Sequence, residues 1–518
     1  MKTRFKTKII RFVFFLGFLF LCNTGKSQND DLFPINILDQ NFSIYAHETL
    51  SDVIKRFCEY FNLDYSYNSK LIEGKRVNLN VSNKPVRYIL EQLNEMYNLI
   101  FNLEDDILII REYVPLSESR RYERQTNLSP PQNRFSFENP KTNIVTIPFK
   151  SASNLIIIPV SINDSDTLNF ILDTGMRIPM ITEIPFVNQL ALNFMKPITI
   201  KGLGTGETLT AYRSSNNIMR IPGLISYDQE IHMVIDDNFQ ISQVLGIPVH
   251  GVIGFDLFKD FVVEINYTDH ELTITKPEKY RSKIQNKDIV LPIHFENGKP
   301  FVRTTIMNEK NELVSVKLLV DTGASDALWL STTSDERINI PDIHIETYLG
   351  KGLSGDFYGK KGRIGGIWMG PIVLNDPIVS FPDSLSLNQV IKNDRNGTLG
   401  GEILRRFHVI IDYPGKQIRL RPTIKVKEEF NHNMSGLDIS NPIPGFPIFT
   451  IDKVRKDSPA YHAGLMEHDQ IISINKSNKM TLNDINLLLQ SKPDRRINLV
   501  VLRDGQEIIA DFNLQPIF

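Results

Sequence analysis

Apolar and polar positions change period several times along the chain. From residue 42 to 112 the order reads strand, helix, strand, strand, helix, strand. In LSDVIKRFCEYFNL, Leu50, Val53, Ile54 and Phe57 recur on one helical face, and Val86, Ile89, Leu90 and Leu93 do so in a second helix, so both helices are expected to cover one sheet. Residues 113–140 (YVPLSESRRYERQTNLSPPQNRFSFENP) keep no period and read as a linker. A long block of short branched apolar runs bounded by Gly, Asn and Asp follows, which predicts a mainly β region over residues 141–283 and 284–423. A polar break at RPTIKVKEEFNHNMSG precedes a final block over 432–518. There Ser458, Pro459 and Ala460 open a short helix closed at Gly464, Gln470 to Asn475 reads as a strand, and TLNDINLLLQ has helical spacing.

The β block contains an internal repeat. FILDTGMRIPMIT, beginning at Phe170, corresponds to LLVDTGASDALWL, beginning at Leu318, and its two Asp residues, Asp173 and Asp321, are 148 positions apart. GVIGFDLFKDFVVEINYTDHELTI, beginning at Gly251, corresponds to GTLGGEILRRFHVIIDYPGKQIRL, beginning at Gly397, with Gly254 matching Gly400 and Tyr267 matching Tyr413. Between these landmarks each copy carries clustered glycines, Gly202, Gly204 and Gly206 in one and Gly350, Gly352 and Gly355 in the other, as a mobile hairpin requires. Each DTG closes a buried strand and presents its carboxylate on a tight turn. One such tripeptide is an ordinary turn composition. Two, followed by the same landmarks in the same order, are not.

The amino terminus is basic (MKTRFKTKIIR), then apolar (VFFLGFLFLC), then small and polar (NTGKSQ), the pattern of a secretory signal over residues 1–27. The apolar run from Ile9 to Cys22 is shorter than the roughly 20 residues that span a bilayer. Lipidation of Cys22 is disfavoured by the bulky Leu21 before it. Without Cys22, Cys58 is the sole cysteine of the exported chain, which excludes an internal disulfide; its place in a helix marks it as a buried apolar residue, not a nucleophile. A formal net charge of -2 offers no field for nucleic acid, and no cofactor or metal motif is expected.

FILDTG, KLLVDTGAS, GVIGFDLF and GTLGGEIL resemble the paired landmarks of retropepsin-like aspartic peptidases, over about residues 145 to 423. The resemblance implies a pseudo-twofold pair of β barrels in which Asp173 and Asp321 form a catalytic dyad. It further implies that Thr174 and Thr322 bond across the interface, that Gly175 and Gly323 offer amides to the carboxylates, that Ser325 supports the dyad, and that the clustered glycines belong to flaps. One departure is that Met176 and Arg177 stand where the second copy has Ala324 and Ser325. A guanidinium beside Asp173 would favour its ionised form, but Arg177 could equally point outward to solvent, the commoner fate of an isolated Arg.

Residues 432–518 resemble a bacterial PDZ domain, a small β-sandwich or partial barrel, with Ser435, Gly436, Leu437 and Asp438 as its carboxylate-binding loop. Residues 42–112 resemble the α/β STN module of secretins and TonB-dependent receptors. Together these resemblances imply an exported endopeptidase of the periplasm or outer envelope of a Gram-negative bacterium. Polypeptides are the expected substrates, with an envelope partner reached through STN or PDZ and membrane association only through a retained signal or Cys22. Two other readings stay open: a peptide-binding protein that does not hydrolyse, and an envelope signalling scaffold.

Overall fold

The computed structural model describes residues 35–518, apart from 68, 73, 98, 105–106, 113–133, 164, 184–189, 191, 193–195, 201–208, 235–240, 282–283, 353–354 and 384–394. The signal segment lies outside the described residues. Among them, no helix is long and apolar enough to cross a membrane.

In the amino-terminal module the two helices, Leu50–Phe61 and Val86–Tyr97, form where the apolar spacing placed them. Thr49 caps the first helix by accepting from the amide of Asp52, and Asn62 closes it in the left-handed conformation. Leu50, Val53, Ile54, Phe57, Val86, Ile89, Leu90 and Leu93 are all buried in one cluster. The strands differ from expectation. They form two sheets, a pair (Asn41–Ile44 with Val81–Pro85) and a three-stranded sheet (Asp64–Tyr67, Ile107–Glu112, Leu99–Glu104), and an extra helical turn, Ser69–Ile72, follows Asp64–Tyr67. Periodicity marks which residues are extended but carries no information on pairing. Cys58 is buried in the module's core, and burial, with Asp64 and Glu59 adding to it, pushes its thiol up to about 12.

The mainly β region repeats one topology twice. Leu168–Leu172 runs parallel to Gly251–Ile253, which pairs antiparallel with Met180–Ile181. In the second half Leu313–Val320 runs parallel to Gly397–Leu399, which pairs antiparallel with Leu328–Leu330. The halves are not closed off from each other. A six-stranded sheet takes three strands from each, joined where Val262–Asn266 lies antiparallel to Phe407–Asp412, and one apolar core runs through both halves. The segment expected as linker also ends sooner than 140. Arg134–Phe137 is a strand paired with Leu224–Tyr227, and it buries Phe135 and Phe137, the latter edge-on to Phe261 at 5.5 Å.

The carboxy-terminal domain is a five-stranded sheet in the order Leu437–Ser440, Phe449–Val454, Gln470–Ile474, Arg496–Arg503, Gln506–Asn513. Ser458 caps the helix Pro459–His462, and Thr481 and Asp484 form a reciprocal capping box on Leu482–Leu489. This domain rests on the first half. The amide of Asn441 donates to the carbonyl of Gln243 at 2.9 Å, and the amide of Ser153 to Asn483 Oδ1 at 3.1 Å. At Gly246, with φ of +71°, a β-carbon would come within 2.7 Å of Leu482, so only glycine allows this approach.

If Arg134–Phe137 belongs to the folded core, Phe137→Ala should lower the stability of the β region by about 3–5 kcal/mol. A shift of its urea unfolding midpoint measures this; an unchanged midpoint would return the strand to the linker.

Candidate active site

Each Asp is fixed by its backbone before its carboxyl makes any contact. Asp173 N donates to Ile253 O at 2.8 Å and Asp321 N to Leu399 O at 3.0 Å, which ends each central strand at the same level of the parallel pair. The chain then turns: Met176 N returns to Asp173 O at 3.1 Å and Ala324 N to Asp321 O at 3.4 Å. The turn is closed from outside when Phe255 N bonds Met176 O and Gly401 N bonds Ala324 O. At Gly254 and Gly400 a side chain would collide with the carbonyl oxygens of Asp173 and Asp326, which explains glycine at both repeat landmarks.

The two turns are locked by a reciprocal exchange between buried threonines. Thr174 N donates to Thr322 Oγ1 and Thr322 N to Thr174 Oγ1, both at 3.1 Å. Each hydroxyl then donates onward, Thr174 to Val320 O at 2.6 Å and Thr322 to Leu172 O at 2.7 Å. Both donor and acceptor capacities of each hydroxyl are used, which fixes its rotor and ties either half to the strand of the other. Beside this lock, Gly175 N donates to Asp173 Oδ1 at 2.6 Å and Gly323 N to Asp321 Oδ1 at 2.9 Å. The carboxyls meet across the axis: a β-carbon on Gly175 would touch Oδ1 of Asp173 and Oδ2 of Asp321, and one on Gly323 would run into the carboxyl of Asp173.

Burial drives the Asp173 carboxyl well above the ordinary carboxylate range, and the charge of Asp321 and the hydrogen bond to it push the same way. The Gly175 amide and Lys299 oppose the rise. Of the two expectations for Arg177 the outward one holds: the residue is exposed, and the cation that acts on Asp173 is Lys299. Lys299 follows the Asn297–Gly298 turn of the opposite half, a connection that sequence spacing does not announce. Tyr413, its ring buried against Phe258 and Phe295, is near enough to both carboxylates for their charge to help raise its phenol, after burial itself.

Ser325 enters through its carbonyl, which accepts from Asn154 Nδ2 at 3.0 Å and so joins the halves a second time. Gly350, Gly352 and Gly355 fall in an antiparallel hairpin of His344–Gly352 and Gly355–Arg363, with Gly352 opposite Gly355 near its tip. Gly202, Gly204 and Gly206 lie outside the described residues; the strands around them, Lys196–Ile200 and Leu209–Ile221, pair antiparallel, with Ile200 opposite Leu209. In the carboxy-terminal loop Gly436 has φ of +85° and seats Ser458 where a side chain would be. Ser435 is buried and its Oγ accepts from Leu437 N at 3.1 Å, so that amide is already engaged within the loop; Asp438 pairs with Lys453 in the sheet. Among the described residues no cluster of His, Cys, Asp and Glu is arranged to hold a metal ion.

Residues 303–403 match the aspartyl protease family model and residues 450–503 the PDZ domain model. The chain thus carries an aspartyl-protease-like domain followed by a PDZ domain. Among curated proteins it is 28% identical over 120 residues to a probable protease, eep, of Enterococcus faecalis; the match covers 19% of this chain and 28% of that protein. Among solved structures it is similar to the aspartic proteinase of Irpex lacteus, at 13% identity and a TM-score of 0.36, over 55% of this chain and 99% of that one.

The raised Asp173 has a thermodynamic consequence. A carboxyl whose folded-state pKa exceeds its unfolded value favours the folded state at low pH, and that contribution is lost as pH rises from about 4, the unfolded value, through the folded one. Asp173→Asn should therefore melt higher than the native chain at pH 7 and converge with it near pH 4, in parallel thermal scans. A constant offset across that window would show that Asp173 is not shifted upward.

Proposed function

We propose that the protein is an exported aspartic endopeptidase that hydrolyses peptide bonds with a water activated between Asp173 and Asp321. The observation that carries this reading is the reciprocal threonine lock, which sets two carboxyls against each other at the centre of a repeated fold. Two carboxylates at that separation cannot both ionise, so the pair keeps one proton, and its titration belongs to the pair. Asp173 holds the proton and Asp321 acts as base. Water oxygen attacks the peptide carbonyl carbon and its proton passes to Asp321. Asp173 gives its proton to the carbonyl oxygen, so the tetrahedral diol forms uncharged. The C–N bond then breaks as the amine nitrogen takes the proton from Asp321, and a diol hydroxyl returns one to Asp173. Each turnover restores the starting dyad and needs no metal or organic cofactor.

The remaining parts fit around that step. The hairpin built from His344–Gly352 and Gly355–Arg363 would close on an extended substrate. The PDZ domain would hold polypeptide ends or partners beside the peptidase, by adding a strand to a sheet edge. Its five-stranded sheet leaves Leu437–Ser440 as an edge strand, which supports that use. For the amino-terminal module we propose an STN-like docking role in the cell envelope of a Gram-negative bacterium, after export through the basic and apolar leader.

Incubated with a diverse peptide library from acidic to neutral pH, the native chain should yield discrete products by mass spectrometry. Asp173→Asn and Asp321→Asn should each lower kcat/KM by about a thousandfold or more. Intact peptides retained by the native chain would instead support a binding protein that does not hydrolyse. A function that survives loss of both Asp residues yet fails without residues 42–112 would support a signalling scaffold.

A further inference from the structure

The two halves share a backbone plan but hold their hairpins by different means. In the second half, Gly355–Arg363 pairs with Ile378–Pro382 only from Gly359 onward, so Gly355–Phe357 is laddered to the other hairpin strand alone. Phe357 is buried there, its ring 5.1 Å from that of Trp329 and edge-on to it, while the rim of Phe357 lies over Gly350, whose φ is +150°. Trp329 is fixed in turn by Asp326, which accepts from its Nε1 at 2.9 Å. The same carboxylate accepts from Ser380 Oγ at 2.7 Å and Lys361 Nζ at 2.9 Å. Asp326 thus ties together the loop after DTG, the Trp329 strand, the hairpin strand and the strand on which the hairpin stands. Burial alone would raise its carboxyl, but Lys361 and the three hydrogen bonds more than reverse this, so it sits below the ordinary range and remains a carboxylate.

Strand registers identify the counterparts in the first half. Met180 pairs with Val252 as Trp329 pairs with Thr398, and Ala211 faces Val234 as Gly359 faces Pro382. Leu209 therefore takes the place of Phe357. Met180, Ala211 and Val234 make a small apolar cluster with Leu209 packed on it. An apolar contact of this kind is non-directional and tolerates sliding, whereas a carboxylate with three donors fixes one register.

We propose that Asp326 is a positioning residue for peptide cleavage, bracketing Trp329 and Lys361 so that the hairpin of the second half is held in register over the dyad. The inference rests on the peptidase reading, so its test includes a readout that does not need turnover. With a peptide that the native chain cleaves, Asp326→Asn should raise KM by about ten- to a hundredfold, the loss of a charge-assisted contact, while kcat changes by less than about threefold. Trp329→Phe should move KM in the same direction, and Asp326→Asn with Lys361→Met should be no worse than Asp326→Asn alone. The chain has two tryptophans, Trp329 and Trp368. In a Trp368→Phe background, binding of a peptide with a non-hydrolysable hydroxyethylene link should shift Trp329 emission, and Asp326→Asn should abolish that shift. If Asp326→Asn does not fold, as thermal melting would reveal, Trp329→Phe and Lys361→Met carry the KM measurement. A fall in kcat with KM unchanged, or an emission shift that survives in Asp326→Asn, would overturn the proposal. A native chain that cleaves nothing refutes the peptidase reading separately. The emission assay then decides the hairpin proposal, and peptide binding without a Trp329 shift, or no binding at all, overturns it.

Discussion

The reciprocal exchange between Thr174 and Thr322 is the constraint on which the site depends. Two strands from different halves must end at the same height, each turning away at once, for two amides and two hydroxyls to satisfy one another in a buried space. Both threonines are fully buried, and a hydroxyl or amide left unpaired there would cost about 1–3 kcal/mol. The arrangement is therefore close to all-or-none, and a slip of one residue would lose every bond of the set. What that rigidity supports is unfavourable in itself: two half-buried carboxyls within reach of each other, with Asp173 raised well above the ordinary carboxylate range. The shared six-stranded sheet and the continuous core stabilise the juncture in which this strain is stored.

Around a symmetric backbone the side chains are not symmetric, and function follows the differences. Lys299 opposes the rise of the Asp173 carboxyl, whereas the cation that interacts with Asp321 is the mostly buried Arg395. The PDZ domain meets the first half through Gln243, Gly246 and Ser153, and the second through Arg363, which donates to the carbonyl of Phe518 at 3.3 Å. The second half keeps the Asp326 bracket under its hairpin, where Leu209 of the first half packs on an apolar cluster. A duplicated fold in one chain is free to diverge in this way, as a homodimer is not.

Much of this was legible in the sequence where the information is local. Leu50, Val53, Ile54 and Phe57 fall on one face because a helix repeats every 3.6 residues, and the two DTG turns stand out because they recur with the same landmarks after them. Pairing was not legible. Nothing in Val262–Asn266 announces Phe407–Asp412 as its neighbour, and four alternating residues at Arg134–Phe137 are too few to stand out beside a Pro- and Asn-rich stretch. Asp326 went unnoticed because its partners Lys361 and Ser380 lie 35 and 54 positions away, and only the fold brings them to it. The neighbourhood of Arg177 along the chain leaves open whether it faces the dyad or solvent, whereas Lys299 and Arg395, both distant in sequence from the carboxyl each one reaches, are cations that act on Asp173 and Asp321.

The central claim is that Asp173 and Asp321 share one proton. The most direct measurement is a pH titration of the chain labelled with 13C at the aspartate side-chain carboxyls, followed by NMR, with Asp173→Asn and Asp321→Asn assigning the two signals. The account predicts that Asp173 stays protonated well above the ordinary carboxylate range, that both signals respond to each step, and that Asp321→Asn brings the Asp173 midpoint down. Two independent titrations near pH 4, each unaffected by substitution of the other residue, would contradict it.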